Sequence, residues 1–197
     1  MWSYIQQNPY EVGGFVTSLI CVWLNARENV WGWGWAIISA LLSAKLFYDL
    51  RLFGDMYLQF FFVLSAIYGV YAWLYVGKEV AKRTIAYTPP QTILLACVSG
   101  ASIFLCLIVL LAKQKGDAIY MDALTTSISI IAQLMMARKY IENWWLWIVA
   151  NILYVGLYAY KGVWLYVILY TIFIVLAVYG YKNWLKSLKI TQVKTTL

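Results

Sequence analysis

Residues 144–158 of the chain read W-W-L-W-I-V-A-N-I-L-Y-V-G-L-Y. The stretch is apolar enough to cross a bilayer as a helix. Four of its side chains, Trp144, Trp147, Asn151 and Tyr158, fall on one narrow face at about 100° per residue. Lipid offers a carboxamide no partner, so we expect this face to look into a cavity that holds something flat with polar edges.

The composition around this stretch is that of an integral membrane protein. Of 197 residues, 64% are hydrophobic and 12% are charged, and the mean hydropathy is +0.74. No soluble domain of this length could bury so much apolar surface. The apolar segments predict an all-α fold of seven transmembrane helices, at about 10–26, 31–48, 55–76, 91–112, 118–137, 143–160 and 163–183.

The net charge of +7 reflects membrane topology and does not indicate a nucleic-acid partner. The basic residues are spread over the loops and the C-terminal tail. Ten of them fall on the side that holds the first, third and fifth loops and the tail, against four or five on the other side. The positive-inside rule then predicts an external N-terminus and a cytoplasmic C-terminus.

Two sequence matches indicate an internal repeat. The motif E28-N-V-W31-G-W33 recurs as E142-N-W-W145-L-W147, at a displacement of 114. The motif Y68-G-V-Y-A-W73-L74 recurs as Y179-G-Y-K-N-W184-L185, at a displacement of 111. Together they place spans 1–3 over spans 5–7 in the same orientation, a SWEET-like 3+1+3 parallel repeat. Such folds bind their substrate near the midplane, between the two halves.

The repeat divides the chain into four parts. We expect a first three-helix bundle with its loop over 1–90, a connector helix over 91–112, a second three-helix bundle over 113–185, and a basic cytoplasmic tail over 186–197.

The polar residues within the spans suggest a binding protein and not an enzyme. All eight acidic residues lie near segment ends, so ion coupling through a buried carboxylate is not expected and facilitated diffusion is favoured. There is no histidine and no metal-ligand or cofactor motif. Four uncharged candidates for substrate contact remain beside the aromatic face: Gln59, Thr126, Gln133 and Asn151. A buried amide costs several kcal/mol unless it is paired.

Each candidate has a structural alternative. Serine and threonine hydroxyls in membrane helices often bond to their own helix, and the amides could pair with each other. Trp144 and Tyr158, at opposite ends of their span, could be interfacial belt residues. That reading fits Trp147 and Asn151 poorly, because they lie deeper.

The series Trp144-x-x-Trp147-x-x-x-Asn151-x-x-x-x-x-x-Tyr158 resembles the PnuC-type vitamin transporters of bacterial inner membranes. The segments D122-A-L-T-T-S, A137-R-K, R27-E-N-x-W and G54-D-M-Y-L-Q59 carry the same resemblance, which covers residues 10–185. It implies a multi-pass importer of nicotinamide riboside without direct energy coupling, a homotrimeric assembly, and trapping of the riboside by a soluble kinase. Related branches carry thiamine, riboflavin or deoxynucleosides, and the motif does not separate them.

With this resemblance we assign Trp144 and Trp147 to ring contact, Asn151 and Gln133 to amide or hydroxyl pairing, and Tyr158 to closing one end of the site. Gln59 and Thr126 complete the predicted set. An integral-membrane enzyme and a membrane scaffold are the remoter alternatives.

Overall fold

The chain is all-helical in the part that the computed structural model describes, namely residues 9–49, 53–75, 84–112, 119–160, 162 and 164–196. This part contains seven helices: α1 Pro9–Ala26, α2 Trp31–Asp49, α3 Phe53–Leu74, α4 Pro90–Ala112, α5 Ile119–Ala137, α6 Asn143–Tyr160 and α7 Trp164–Thr196. The loop over 76–83, which carries three of the basic residues counted for topology, lies outside the described residues.

Helix length and hydropathy identify four candidate membrane spans by composition alone: Met56–Leu74, Pro90–Ala112, Ile119–Ala137 and Trp164–Ile190. Of the remaining helices, α2 and α6 contain several tryptophan and tyrosine residues, whose polar atoms lower their hydropathy. Prolines start two helices, Pro9 in α1 and Pro90 in α4, where the missing N–H has no helical partner to lose.

The chain divides into two compact units, residues 1–83 and 84–197. In the first unit α1 packs on α2 and α2 on α3. In the second unit the connector α4 packs on α5, α5 on α6 and α6 on α7. Successive helices are therefore neighbours within each unit, as short connections require.

The turn between the first two helices of each three-helix set has the same backbone geometry in both units. Glu28 and Lys139 adopt left-handed φ values of 56° and 55°. The Glu28 N–H donates to the Asn25 carbonyl at 3.1 Å, and the Lys139 N–H donates to the Met136 carbonyl at 2.9 Å. These equivalent residues are 111 positions apart. The displacement of 114 in the E-N-W match is therefore wrong as a structural register.

A tryptophan clamp follows each of these turns. In the first unit Trp33 meets Trp73 edge-to-face, with centroids 5.5 Å apart. In the second unit Trp144 meets Trp184 in the same way at 5.4 Å. Each clamp closes on a glycine of the third helix, because a Cβ at Gly69 or Gly180 would lie 2.5 or 2.6 Å from the indole. The register of 111 thus equates Trp33 with Trp144, not with Trp147.

Hydrogen bonds join the segment before α4 to the turn between α5 and α6. The Ala86 N–H donates to the Lys139 carbonyl, and the Ile141 N–H donates to the Ala86 carbonyl, both at 3.1 Å. The Glu142 carboxylate accepts hydrogen bonds from the Thr88 N–H at 3.0 Å and from the Thr88 hydroxyl at 2.5 Å. We call these contacts the connector clasp. They fix the entry of α4 against the α5–α6 turn.

The final helix is longer than the apolar segment that predicted it. It runs for 33 residues and takes in most of the basic tail. Gly180, Trp184 and Leu188 lie on one face and are buried, whereas Lys182, Lys186 and Lys189 are exposed. Hydropathy marks only the part that crosses lipid, and the amphipathic continuation packs on the protein itself.

Candidate functional site

The candidate site is built on one face of α6. This helix is continuous from Asn143 to Tyr160, so the spacings of three, four and seven residues place Trp144, Trp147, Asn151 and Tyr158 along a single stripe. The sequence of α6 contains no charged residue. The stripe therefore offers π-faces, an amide and a phenol in uncharged surroundings.

Three polar atoms on this stripe, one each on Trp144, Trp147 and Asn151, are buried without a hydrogen-bond partner among the described residues. The indole Nε1 of Trp147 and the carboxamide Oδ1 of Asn151 have no hydrogen-bond partner among the described residues, and neither atom is exposed. Leaving a buried donor or acceptor unpaired costs about 1–3 kcal/mol. A donor and an acceptor one helical turn apart can both be satisfied by a ligand that carries an amide or hydroxyl edge.

Trp144 occupies the most enclosed position of the stripe. Its side chain is 1% exposed, it packs edge-on against Trp184, and Gly180 lies against its ring. Its Nε1 is also buried without a hydrogen-bond partner within the described ranges. The Trp144 ring is therefore held in place by close packing within the second unit.

Helix α5 carries two further predicted residues. Gln133 is 8% exposed and Thr126 is half-buried. The hydroxyls of Thr125 and Ser129 donate to carbonyls of their own helix, at 2.9 Å for the Thr125 bond to Met121 and 2.8 Å for the Ser129 bond to Thr125. These two neighbouring hydroxyls therefore bond to their own helix, as is common for serine and threonine in membrane helices. Gln133 and Thr126 stay predictions.

Gln59 belongs to the other unit, where it lies half-buried on α3. At a separation of 111 residues, the residue of the second unit that corresponds to Gln59 is Tyr170 of α7. Its assignment to the site stays a prediction.

Tyr158 lies in an aromatic stack that sequence reasoning missed. Its ring is parallel to that of Tyr170 within 9° at 5.4 Å, and to that of Tyr166 within 22° at 4.9 Å. Tyr154 extends the stack, at 4.5 Å from Tyr170. Pairs at i and i+4 on both α6 and α7 are visible in the sequence and could have revealed it.

A separate groove of about 460 Å³ lies in the second unit between α4, α5 and the start of α6. Apolar side chains such as Phe104, Leu124 and Ile131 line most of it. None of the predicted site residues contributes to it. Such a lining in a membrane-embedded helix pair suits lipid tails and offers little to a polar solute.

Comparison with known proteins is consistent with this geometry. Residues 8–186 match the family model described as nicotinamide mononucleotide transporter. The nicotinamide riboside transporter PnuC of Escherichia coli K12 is 27% identical over 203 residues, which cover 90% of this chain and 85% of the relative. The protein of the same name from Neisseria mucosa is 29% identical over 192 residues, covering 88% of this chain and 71% of the relative.

A solved structure gives the same result. The crystal structure of the vitamin B3 transporter PnuC superposes with a TM-score of 0.75 at 26% identity, over 95% of this chain and 86% of that one. The matching family and the relatives compared are named as transporters, not as enzymes. Since the family model spans nearly the whole sequence, the chain belongs to the nicotinamide mononucleotide transporter family, the family of the PnuC proteins.

Proposed function

We propose that this protein carries nicotinamide riboside across the bacterial inner membrane by facilitated diffusion. The observation that carries the proposal is the pair of buried, unpartnered polar atoms, Trp147 Nε1 and Asn151 Oδ1, on a helix face without charges. Relatives that bear the name nicotinamide riboside transporter support the substrate class.

The chemistry of the riboside suits this face. Nicotinamide riboside has a pyridinium ring with a delocalised positive charge, a carboxamide and a hydroxylated ribose. Indole faces attract a desolvated cation by about 2 kcal/mol or more, with no need for an acidic partner. The Asn151 oxygen accepts a hydrogen bond from the substrate amide or a hydroxyl, and the Trp147 N–H donates one. An analogue that lacks these groups leaves both atoms unpaired and is rejected.

The family description names the mononucleotide, whereas the relatives are named for the riboside. The two ligands differ by a phosphate, which needs basic side chains or a helix N-terminus as partner. Helix α6 supplies no basic residue along the stripe. The riboside therefore fits better. The same reasoning supports trapping, because a soluble kinase that adds the phosphate makes a product that the site disfavours.

For the architecture we propose seven spans in a 3+1+3 parallel repeat, with the N-terminus outside and the C-terminus in the cytoplasm. Support comes from the turns at Glu28 and Lys139 and from the two tryptophan clamps, all related by 111 residues. The excess of basic residues in alternate loops supports the orientation. The division into bundles over 1–90 and 113–185 with a connector and a basic tail is part of this proposal. The resemblance to PnuC proteins also suggests a homotrimer.

Substrate binding to the detergent-purified protein tests the proposal. We expect quenching of tryptophan fluorescence by nicotinamide riboside, and much weaker responses to the mononucleotide, thiamine and riboflavin. In Asn151→Leu the affinity for the riboside should fall by at least tenfold, because the substrate loses its partner for a buried hydrogen bond. Gln91→Leu, the same change at an exposed amide on α4, is the matched control and should bind normally.

Uptake into proteoliposomes completes the test. Counterflow of labelled riboside without an ion gradient is expected for a facilitator, and the riboside should emerge chemically unchanged. Equal binding by Asn151→Leu and the wild type would remove Asn151 from the site. Preference for thiamine or riboflavin would move the protein to another branch of the family.

A further inference from the structure

The four tyrosines between α6 and α7 form one continuous stack. In order along the stack they are Tyr166, Tyr158, Tyr170 and Tyr154, with successive centroids 4.9, 5.4 and 4.5 Å apart. Successive planes are within 9–22° of parallel. All four side chains are half-buried. We call this cluster the tyrosine stack.

The tyrosine stack continues the stripe of the candidate site. Asn151, Tyr154 and Tyr158 follow one another at spacings of three and four residues, so they share a face of α6. The other end of the stack, Tyr166, lies in the first turn of α7, just after the connection at Gly162, whose φ is 71°. The stack therefore runs from the α6–α7 connection to within one helical turn of Asn151.

The fold itself does not require these rings. At a separation of 111 residues, the first unit has Ser43, Phe47, Asp55 and Gln59 where the second has Tyr154, Tyr158, Tyr166 and Tyr170. None of these four positions carries a tyrosine, and only Phe47 is aromatic. A feature present in one unit only, and placed beside the site, points to a role in handling the substrate.

We propose that the tyrosine stack is an entry docking site for aromatic cations, which leads from the α6–α7 connection through Tyr158 to Trp147 and Asn151. This inference rests on the proposed function. A phenol face is electron-rich, so it stacks more favourably on a pyridinium ring than on another phenol. An incoming cation can therefore replace one phenol as the partner of its neighbour. With the N-terminus outside, the α6–α7 connection is external, and the tyrosine stack receives substrate from that side.

The test compares association and dissociation rates in Tyr166→Leu and the wild type by stopped-flow tryptophan fluorescence with nicotinamide riboside. Tyr166 is outside the predicted binding set. Removing its ring should slow association by about fivefold to thirtyfold, the factor that corresponds to one cation–π contact. Dissociation should slow by the same factor, and the Kd should stay unchanged, because the bound state is untouched. Tyr166→Phe keeps the ring and should behave as the wild type.

Tyr181→Leu is the matched control. Tyr181 is also a half-buried tyrosine of α7 in contact with a ring of α6, Trp145 at 5.1 Å, but it is outside the tyrosine stack. Its removal should leave both rates unchanged. A second measurement needs no variant: the reduced dihydropyridine form of the riboside, neutral and not aromatic, should associate with the wild type several-fold more slowly than the cation.

The outcomes separate the two proposals. If the wild type shows no response to nicotinamide riboside, the proposed function is wrong. If it responds normally but Tyr166→Leu associates at the wild-type rate, the docking site is wrong and the proposed function stands. An increase in Kd with unchanged association would also overturn the docking site, because Tyr166 would then contact the bound substrate. If Tyr166→Leu does not fold, equal association rates of the oxidised and reduced ribosides overturn it.

Discussion

The substitution Gly180→Ala should lower both the stability of the protein and its affinity for substrate, because the new methyl group would displace the Trp144 ring. A Cβ at this position would lie 2.6 Å from Cη2 and Cζ2 of the Trp144 indole, whereas ordinary contact begins near 3.4 Å. The ring would have to retreat by about 0.8 Å in an interior packed like a crystal. It has little room to do so, since it is 1% exposed and Trp184 closes its edge.

The expected loss of stability follows from two opposing contributions. Alanine in place of glycine within a helix stabilises by about 1 kcal/mol. Overpacking of a well-filled core costs about 1–3 kcal/mol. We therefore expect Gly180→Ala to be less stable than the wild type by up to about 2 kcal/mol, or a decrease in Tm of a few degrees for a chain of this size.

The affinity should change as well, because Trp144 is the first ring of the proposed site. A displacement of this size at a positioning group can cost up to about a hundredfold, and we expect the Kd for nicotinamide riboside to rise by at least tenfold. The assay is thermal unfolding in detergent together with fluorescence titration. Gly156→Ala is the control: it makes the same change in α6 where nothing lies within 4 Å of the new Cβ, so stability should hold or improve.

The result that would refute the reasoning is a Gly180→Ala protein with wild-type Tm and wild-type affinity. Lower stability with unchanged affinity would support the packing of Trp144 against Gly180 and Trp184, but it would show that Trp144 does not contact the substrate. If Gly156→Ala lost as much stability and affinity as Gly180→Ala, the losses would not be due to contact with the indole.

Two further predictions concern the scaffold. Gly69→Ala should lower Tm as Gly180→Ala does, since its Cβ would lie 2.5 Å from the Trp33 indole, and thermal unfolding of the two variants side by side measures whether the two clamps are energetically alike. Glu142→Gln should destabilise by about 1–3 kcal/mol, because hydrogen bonds from Thr88 to a charged acceptor are stronger than those to an amide, and Thr88→Val should lose a similar amount. If the loss of stability in the double variant equals the sum of the losses in the two single variants, the contact between Glu142 and Thr88 does not contribute to the stability of the connector clasp.

Most of the helical framework could be predicted from the sequence, because it depends on local hydropathy. The predicted segments match the helices closely for α1, α2, α4, α5 and α6. For α3 the predicted segment is displaced by two residues at each end. The exception is α7, which continues to Thr196. There the helix is held by Trp184 and Leu188, which pack on the protein, and a search for lipid-crossing segments is blind to that pattern.

The register between the two units could not be chosen from letters alone, because the two sequence matches gave displacements of 114 and 111. The matching E-N pairs at Glu28 and Glu142 suggested a displacement of 114, but backbone conformation equates Glu28 with Lys139. A left-handed residue after a helix is a geometric requirement, and neither glutamate nor lysine is a residue type that reveals it. The backbone geometry therefore selects the displacement of 111, which the match between Tyr68 and Tyr179 had also given.

The site shows the same division between local and tertiary information. The stripe of Trp147 and Asn151 on α6 follows from helical spacing and was predicted. The enclosure of Trp144 by Gly180 and Trp184, and the pairing of tyrosines across two helices, depend on how α7 packs beside α6. Spacing within one helix does not contain that information.

The register of 111 offers a way to separate architecture from recognition in this chain. Residues that build the helical units recur at that separation, as Trp33 and Trp144 do. Residues proposed for recognition do not recur, since Trp147 and Asn151 correspond to Ala36 and Ala40. The first set builds the tryptophan clamp of each unit, whereas the second set occurs in one unit only. Under the proposed function, the riboside supplies the missing partner of the buried Asn151 oxygen, a group that the first unit lacks at the corresponding position.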